Sequence, residues 1–401
     1  MKGLRKALLI GMTLGVTMLG TVGCMNQDSA SSNDVLKVGA ISFAGTLEPT
    51  ENYFSFAKSK RAKTFFNYTE ITANGQELTI KTDKEYYNLP NLLGDPLFLI
   101  MDVTAEANGR DIAKEGPIGT GPYVVSSFTK ERAELKRNDN YWDGKAGFAK
   151  VEIPSINDAN TRAMALQSGD VDMAISIGPG EYSIFQNDKN FTIYEMSSLR
   201  DVFVRMGQKG KLRNPNLRAA LIAAADRESY AKNLMKDTFV AGKAPLPPSI
   251  DYGFNQLRDP NKYNVERKKI GVDLRIKIVD YAVIDTLSQS GDYDMIISSV
   301  VTANTGQPVW FLKQYWGTGV ETNGSGFSNP RFDELLALGE SSSDPVVRRN
   351  AVINAQQLML DNAVALFLGY PKINIVGNKR IDGIKITPSE YYIITKDLKK
   401  K

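Results

Sequence analysis

The chain has 401 residues, with 49 Lys and Arg against 45 Asp and Glu, 42% hydrophobic residues, one Cys and no His. This length suggests two domains or one large two-lobed unit, and the composition is ordinary for a globular protein. The missing histidine excludes a Ser-His-Asp or Cys-His relay and a His-ligated metal site, and the single cysteine excludes an internal disulfide.

The first residues are typical of an export signal. A positively charged start precedes an apolar run over residues 7–23, which is short for a membrane-spanning helix, and Cys24 follows directly. The position of this Cys resembles a bacterial lipobox, in which the thiol is acylated and becomes the new N-terminus. A plain signal peptide with an incidental Cys is the alternative. We predict a signal peptide over residues 1–23 and a lipidated tether over residues 24–35.

The charge balance bears on the partner class. Removal of residues 1–23 takes away three positive charges and leaves a nearly neutral chain. A neutral chain gives no reason to expect nucleic acid as a partner.

The predicted elements follow in chain order. Alternating apolar residues predict strands over residues 76–82, 122–128 and 132–136. Apolar residues at helical spacing predict helices over residues 217–235, 331–338 and 346–360.

One pattern occurs twice. Gln-Ser-Gly-Asp-Val-Asp-Met begins at Gln167, and Gln-Ser-Gly-Asp-Tyr-Asp-Met begins at Gln289. In each copy a strand candidate precedes a helix that the Gly terminates, and another strand follows. The first copy places its opening strand over residues 150–156, and the second places it over residues 274–279. We therefore predict two βαβ units in mainly parallel sheets, hence two lobes. A shared helix-stop signal without wider meaning is the alternative.

Ligands of open α/β sheets bind beyond the carboxyl ends of the strands. Those ends correspond to residues 178–181 in the first unit and residues 302–306 in the second. Both loops are rich in small polar residues, so they predict the two sides of a cleft. Ordinary turn chemistry is the other explanation.

Several segments together resemble the extracellular solute-binding protein family 5, the peptide and nickel receptors of ABC importers. Pro-Ile-Gly-Thr-Gly-Pro-Tyr at residues 117–123 resembles the most distinctive motif of that family. The other matching segments follow in order at residues 137–142, 160–172, 217–227 and 323–330. The closing stretch from residue 367 is most similar to the nickel-type and related small-solute branch.

The resemblance implies an α/β, bilobal periplasmic-binding-protein type II fold with mixed sheets flanked by helices and a reduced first lobe. Lobe I would comprise residues 36–204 and 366–401, and lobe II residues 205–365. It further implies a monomeric, lipid-anchored receptor at the cell membrane, facing the periplasm or cell exterior. Such a receptor closes on a small peptide, an opine-like metallophore or a nickel chelate and delivers it to a permease, without a cofactor.

The chain also departs from the family pattern. Relatives carry a long block between the first strand and the segment that starts here near Phe56, and a second block after Ile270. We interpret both differences as internal deletions. They raise the alternative of a shortened paralogue that folds without binding.

The resemblance and the strand-end rule together predict the ligand-binding residues. Four groups of pocket-lining candidates follow from the matching loops: Ser42, Phe43 and Thr46; Thr302, Asn304 and Thr305; Asn323 and Ser325; Tyr391 and Tyr392. Core packing or loop capping is the competing explanation for each group.

Three charged residues complete the predicted site. Arg61 and Arg200 would recognise a carboxylate, because a buried charge needs a partner. Asp95 stands where nickel receptors have an Arg, and it would favour a cationic ligand group. Ordinary solvated charges are the alternative for Arg61.

The sequence also bears on enzymatic activity and on metal binding by this protein. The pair Asp170 and Asp172 could in principle do acid–base work, but its alternation along a strand favours a structural role, so we do not expect an enzyme. Without His, and with Cys24 acylated, the chain lacks the side chains that suit nickel best. We predict weak binding of free nickel and no protein metal site, so nickel would enter only with its own chelator.

Overall fold

The computed structural model describes residues 34–40, 65–95, 98, 102, 104–111, 115–116, 118–266, 271–279, 281–303, 307–388 and 390–401. The predicted signal peptide and tether, including Cys24, lie outside these residues, except for the end of the tether.

The first half of the chain alternates strands with short helices. Its elements are β1 (Val35–Gly39), β2 (Tyr68–Asn74), β3 (Glu77–Thr82), α1 (Leu89–Leu93), α2 (Thr104–Ala107), β4 (Tyr123–Phe128), β5 (Arg132–Arg137), β6 (Lys150–Pro154), α3 (Ala159–Ser168), β7 (Met173–Ile175), α4 (Tyr182–Gln186), β8 (Phe191–Ser197) and β9 (Arg200–Met206).

The second half contains the longer helices. Its elements are α5 (Pro215–Ala224), α6 (Arg227–Ser229), β10 (Phe239–Ala241), α7 (Tyr281–Ser290), β11 (Met295–Val301), α8 (Val309–Trp316), α9 (Pro330–Ser341), α10 (Pro345–Asp361), β12 (Ala365–Asn378), β13 (Ile381–Asp382) and β14 (Lys399–Lys400). A 3₁₀ turn at Gly210–Arg213 precedes α5, and a π turn at Tyr230–Leu234 follows α6.

One mixed sheet runs through the molecule in the order β11-β9-β12-β7-β1-β6-β5-β4. Its parallel centre is β7-β1-β6, and every other pairing is antiparallel. The 14-residue β12 is the connecting element, because it pairs with β7, β8, β9 and β10.

Two groups of buried side chains lie at opposite parts of this sheet. One packs α8, α9 and α10 against Phe203 and Phe367 around the fully buried Trp316. The other packs β1, β6 and β7 around Leu36, Val38 and Met173, with a neighbouring cluster beneath α3. This separation agrees with two lobes, whose boundaries remain a prediction.

The first predicted βαβ unit is confirmed. Asp158 caps α3 by accepting a hydrogen bond from the Thr161 amide at 2.7 Å. Gly169 ends the helix with φ 83°, a left-handed conformation that glycine adopts without steric cost. β6 and β7 then flank β1 in parallel, as the pattern predicts.

The second predicted unit is wrong in its first strand. Residues 271–279 form neither strand nor helix, although α7 and β11 follow as predicted. Alternation alone does not make a strand, because the backbone groups need a partner. β11 instead pairs antiparallel with β9, and Ile276 and Ile278 are 83% and 94% exposed.

The helix predicted over residues 217–235 is also interrupted. α5 ends where Ala225 adopts an extended conformation, and the Asp226 side chain caps the short helix that follows. The capping carboxylate offers the backbone an alternative to a continuous helix. The predicted helices over 331–338 and 346–360 are confirmed as α9 and α10.

Candidate functional site

The carboxyl end of β7 is held by an arginine of the first βαβ unit. The buried Arg162 guanidinium donates to the carbonyl oxygens of Ile175 at 2.9 Å and Ile156 at 2.6 Å, and also to that of Ser176. Burial lowers the pKa of Arg162 without neutralising it at physiological pH. The charge therefore fixes the strand ends at which the predicted cleft begins.

β12 contacts the same carboxyl end of β7. The Asn374 side chain accepts a hydrogen bond from the Ile177 amide at 2.8 Å and donates to the Ile177 carbonyl oxygen at 3.1 Å. Three residues earlier, the Pro371 carbonyl oxygen accepts from the Ser198 hydroxyl at 2.5 Å. The end of β7 and the start of β9 thus lie at neighbouring positions along β12.

Thr302 joins the end of β11 to this point. Its amide and hydroxyl both donate to the Leu199 carbonyl oxygen, at 2.9 and 2.8 Å, and its side chain is buried. The Leu199 amide in turn donates to the Pro388 carbonyl oxygen at 3.0 Å. Thr302 therefore acts in this structure as a link between segments, and its hydroxyl proton is already engaged.

Arg200 binds the C-terminal segment directly. Its Nε donates to Glu390 Oε1 at 2.9 Å, and its Nη2 donates to Glu390 Oε2 at 2.8 Å. Nη1 donates to the Ser299 carbonyl oxygen at 3.2 Å, which ties β11 into the same arrangement. Both charged side chains remain about one-third exposed or less, at 30% and 25%.

Two tyrosines stand next to this ion pair. Tyr391 and Tyr392 are 38% and 55% exposed, with ring centroids 6.5 Å apart at an interplanar angle of 70°. Glu390 and Tyr392 both have positive φ, at 67° and 63°, a backbone strain that turns the segment back on itself. We call Arg200, Thr302, Glu390, Tyr391 and Tyr392 the crossing cluster.

Asp95 lies in a segment that contacts α8, through aromatic side chains. It is buried after α1, where its carbonyl oxygen accepts from the Phe98 amide at 2.9 Å. Phe98 packs edge-on against Phe65, whose ring stacks on Trp310 of α8 at 4.7 Å. Asp95 is therefore joined through aromatic contacts to the helix that follows the Thr302 loop.

Asn323 and Ser325 are placed elsewhere. The Gln208 amide donates to the Ser325 carbonyl oxygen at 2.6 Å, beyond the end of β9 that is opposite Arg200. The length of β9, about 20 Å for seven residues, separates the two positions. Asn323 Nδ2 donates to the carbonyl oxygens of Gly317 and Phe327, and the Ser325 hydroxyl donates to Asn323 Oδ1 at 2.6 Å. The structure does not bring these two residues into the crossing cluster.

The remaining predicted positions lie outside the described residues. They are Cys24, Ser42, Phe43, Thr46, Arg61, Asn304 and Thr305. Their roles stay predictions.

Sequence reasoning missed two buried charged groups of β9. Asp201 is fully buried, and its carboxylate has no well-formed hydrogen bond among the described residues. Burial raises the pKa of Asp201 well above its ordinary value, more than the adjacent Val202 amide lowers it. Arg205 lies between the rings of Tyr315 and Tyr293, at 4.8 and 5.9 Å from their centroids. The sequence does carry a signal for these two buried groups, because Asp201 and Arg205 stand among apolar residues of one strand segment.

Two classes of feature are missing from the described ranges. They contain no group of three or more Asp, Glu, His or Cys side chains placed to hold a metal ion. None of their helices is long and apolar enough to cross a membrane.

Comparison with known proteins identifies the family. Residues 50–267 match the model of the bacterial extracellular solute-binding proteins, family 5 Middle. The chain belongs to this family. It is a family of binding proteins rather than enzymes, as the sequence resemblance predicts.

Two curated relatives illustrate the sequence similarity. The chain is 22% identical over 383 residues to the nickel-binding protein NikA of Staphylococcus aureus, covering 85% of this chain and 76% of that protein. It is 20% identical to the probable D,D-dipeptide-binding periplasmic protein DdpA of Escherichia coli, covering 71% of this chain and 63% of that protein.

Solved structures establish the fold. NikA of Staphylococcus aureus in complex with Ni(L-His)₂ superimposes with a TM-score of 0.79 at 18% identity, over 92% of this chain and 100% of that one. DppA of Helicobacter pylori in complex with the peptide STSA gives 0.75 at 21% identity, over 87% and 78%. The family member described here therefore has the bilobal periplasmic-binding-protein type II fold, with a mixed sheet and flanking helices.

Proposed function

We propose that this chain is the substrate-binding lipoprotein of an ABC importer, which captures a small peptide, a metallophore or a nickel chelate by lobe closure. The crossing cluster carries the proposal. It brings the start of β9, the end of β11 and the C-terminal segment to one edge, next to the carboxyl end of β7. The sequence similarity to a nickel-binding protein and to a probable D,D-dipeptide-binding protein supports this choice of ligands.

The cluster supplies suitable chemistry for a small polar solute. Arg200 can recognise a carboxylate once ligand competes for Glu390, and the exposed Tyr391 and Tyr392 offer apolar faces with a hydroxyl at the rim. Asp95, in the segment that packs against α8, would bind an amino or other cationic group of the ligand. Ser42, Phe43, Thr46, Arg61, Asn304 and Thr305 are proposed to complete the lining, whereas Asn323 and Ser325 would join only if lobe closure moved them.

A thermal-shift screen tests ligand capture. Residues 25–401 include every residue that the structure describes, so this length is the one to purify and screen against short peptides and nickel with L-histidine. A ligand that binds only the folded state at 100 times its Kd adds about 2.7 kcal/mol of stability. Removing both rings by Tyr391→Ala and Tyr392→Ala should weaken the best hit at least tenfold. Trp142→Ala, which removes an exposed ring far from the cluster, is the matched control; equal weakening by both would refute this site.

Calorimetry separates metal from chelate. Because the chain has no His, we expect no high-affinity heat from nickel alone, while nickel with a suitable chelator binds. Submicromolar binding of bare nickel to untagged protein would contradict this.

Attachment to the membrane is a separate part of the proposal. We propose that Cys24 is acylated after removal of residues 1–23, and that the anchored receptor delivers its ligand to permease subunits. After a high-salt wash, which screens electrostatic contacts with lipid, Cys24→Ser should be in the soluble fraction while the unsubstituted protein stays with the membrane. Equal partition of the two proteins after this wash would refute the anchor.

One observation favours a second candidate, a shortened paralogue that folds without transport-competent binding. Residues 271–279 expose Leu274, Ile276 and Ile278 where the sequence predicts a paired strand. If no peptide or chelate stabilises the purified protein, while its unfolding is cooperative, this candidate replaces the receptor.

A further inference from the structure

An exposed tryptophan stands at the end of the molecule opposite the crossing cluster. Trp142 is 78% exposed in the loop between β5 and β6, and its ring lies 5.5 Å from that of Tyr141. By contrast, Trp316 is fully buried and Trp310 stacks on Phe65. The indole ring is apolar with one polar edge, so an exposed Trp suits a boundary between water and an apolar phase.

A short basic ribbon adjoins this loop. β13 and β14 pair Ile381 with Lys400 and Asp382 with Lys399, and the Lys401 amide donates to the Arg380 carbonyl oxygen at 2.8 Å. The ribbon exposes five cations: Lys379, Arg380, Lys399, Lys400 and Lys401. Its own carboxylate is Asp382, and Asp172 accepts a hydrogen bond from Arg380 at its base.

The loop and the ribbon form one surface. The Gly147 amide donates to the Lys396 carbonyl oxygen at 3.3 Å, and Lys396 Nζ lies 3.2 Å from Asp143. A side chain at Gly147 would come within 2.4 Å of the Leu398 carbonyl oxygen, so glycine permits this close approach. Between loop and ribbon lies a hollow of about 430 Å³, whose charged lining consists of Lys145, Lys385, Lys396 and Lys399 together with Asp382 and Asp397.

We call Trp142, Lys145, Lys396 and the five ribbon cations the basal face. Sheet geometry places it at the amino ends of the parallel strands, because Val35 of β1 pairs with Lys150 of β6 directly after the Trp142 loop. β12 runs antiparallel and reaches the same end at Asn378. β1 therefore begins at the basal face, and the crossing cluster lies towards the other end.

We propose that the basal face docks on a membrane surface that contains anionic phospholipids. Lysine and arginine side chains are attracted to anionic headgroups, and tryptophan favours the level of the headgroups because its ring is apolar with one polar edge. The lysines that line the hollow outnumber its two aspartates, Asp382 and Asp397, and its volume is large enough for one phosphodiester headgroup. Docking in this way leaves the crossing cluster facing away from the lipid. That this orientation serves ligand capture rests on the proposed receptor function, whereas the docking itself does not.

Vesicle sedimentation tests the docking with unlipidated residues 25–401. The vesicles are phosphatidylcholine alone, or phosphatidylcholine with phosphatidylglycerol. We expect binding to the anionic vesicles only, weakening with salt as the screening length shortens. Lys399→Gln with Lys400→Gln should lower the partition coefficient about tenfold or more, since each cation near the surface contributes roughly fivefold. Lys209→Gln with Lys211→Gln removes the same charge from exposed sites at the far end of β9 and should leave the coefficient unchanged.

Tryptophan emission gives a second readout. Trp142 should shift to shorter wavelength when anionic vesicles are added, because it leaves water, and Trp142→Ala should abolish the shift and weaken binding. Absence of vesicle binding, equal loss in the two lysine pairs, or binding without any change at Trp142 would each overturn the proposal. The outcome is independent of the ligand screen, so failure here leaves the receptor function standing.

Discussion

Arg200 and Glu390 form a two-point ion pair across 190 positions of sequence, with Nε and Nη2 at 2.9 and 2.8 Å from the two carboxylate oxygens. The pair connects the start of β9 to the segment that contains Tyr391 and Tyr392. Two parallel hydrogen bonds give an arginine–carboxylate pair a defined orientation. It therefore holds Tyr391 and Tyr392 at the edge of the proposed cleft.

A double-mutant cycle measures this pair. Arg200→Gln, Glu390→Gln and the double variant should give a coupling energy of about 0.5–1 kcal/mol in urea unfolding, limited by partial exposure. The control is the pair Arg331 and Glu334, whose side chains are 66% and 64% exposed, for which we expect about 0.3 kcal/mol. A coupling at Arg200 no larger than the control would show that the pair does not fix the segment.

The repeated motif provides an internal comparison of two aspartates. Asp172 is buried, accepts from the Lys37 amide at 2.9 Å and also binds Arg380. Asp294, at the same position of the second copy, is exposed. Asp172→Ala should lower the free energy of unfolding by about 1–3 kcal/mol, because it removes a buried carboxylate that accepts hydrogen bonds from the Lys37 amide and from Arg380. Asp294→Ala should change it by less than about 0.5 kcal/mol. Equal effects in denaturant titrations would contradict this assignment.

Asp201 should make stability depend on pH. Because burial raises its pKa in the folded protein above the ordinary 3.8, ionisation favours the unfolded chain, so its contribution to stability falls as pH rises above about 4. Asp201→Asn removes that penalty and should raise the free energy of unfolding by more than about 1 kcal/mol at neutral pH, with the gain shrinking towards pH 4. Denaturant unfolding across this range checks the slope. The exposed Asp292→Asn serves as control, and a pH-independent difference at position 201 would show that its carboxyl is ionised normally.

The exposed segment 271–279 should tolerate polar substitution. Ile276→Thr and Ile278→Thr should each change the free energy of unfolding by less than about 0.5 kcal/mol, because these exposed side chains bury little apolar surface in the folded protein. Ile296→Thr, in β11 at 6% exposure, should cost about 1.5–3 kcal/mol by losing apolar burial and placing a hydroxyl in the core. Losses above about 1 kcal/mol at residues 276 and 278 would mean that this segment pairs in solution.

The sequence by itself determined the features that depend on neighbouring residues. Asp158 and Gly169 bound α3 because capping and left-handed turns are local properties. The prolines that are the first residues of α9 and α10 mark the starts of these helices for the same reason. The ordered motifs also indicated the family, which the matched residues 50–267 confirm.

Only the tertiary structure decided which distant segments meet. The repeated pattern predicted a strand at residues 274–279, but strand formation needs a partner, and β11 is paired to β9 instead. Likewise, loop position suggested that Asn323 and Thr302 line one site, whereas the length of β9 separates them. The ion pair of Arg200 with Glu390 and the burial of Asp201 follow from how β9 and β12 pack, because long-range pairing and desolvation depend on the whole fold rather than on local sequence.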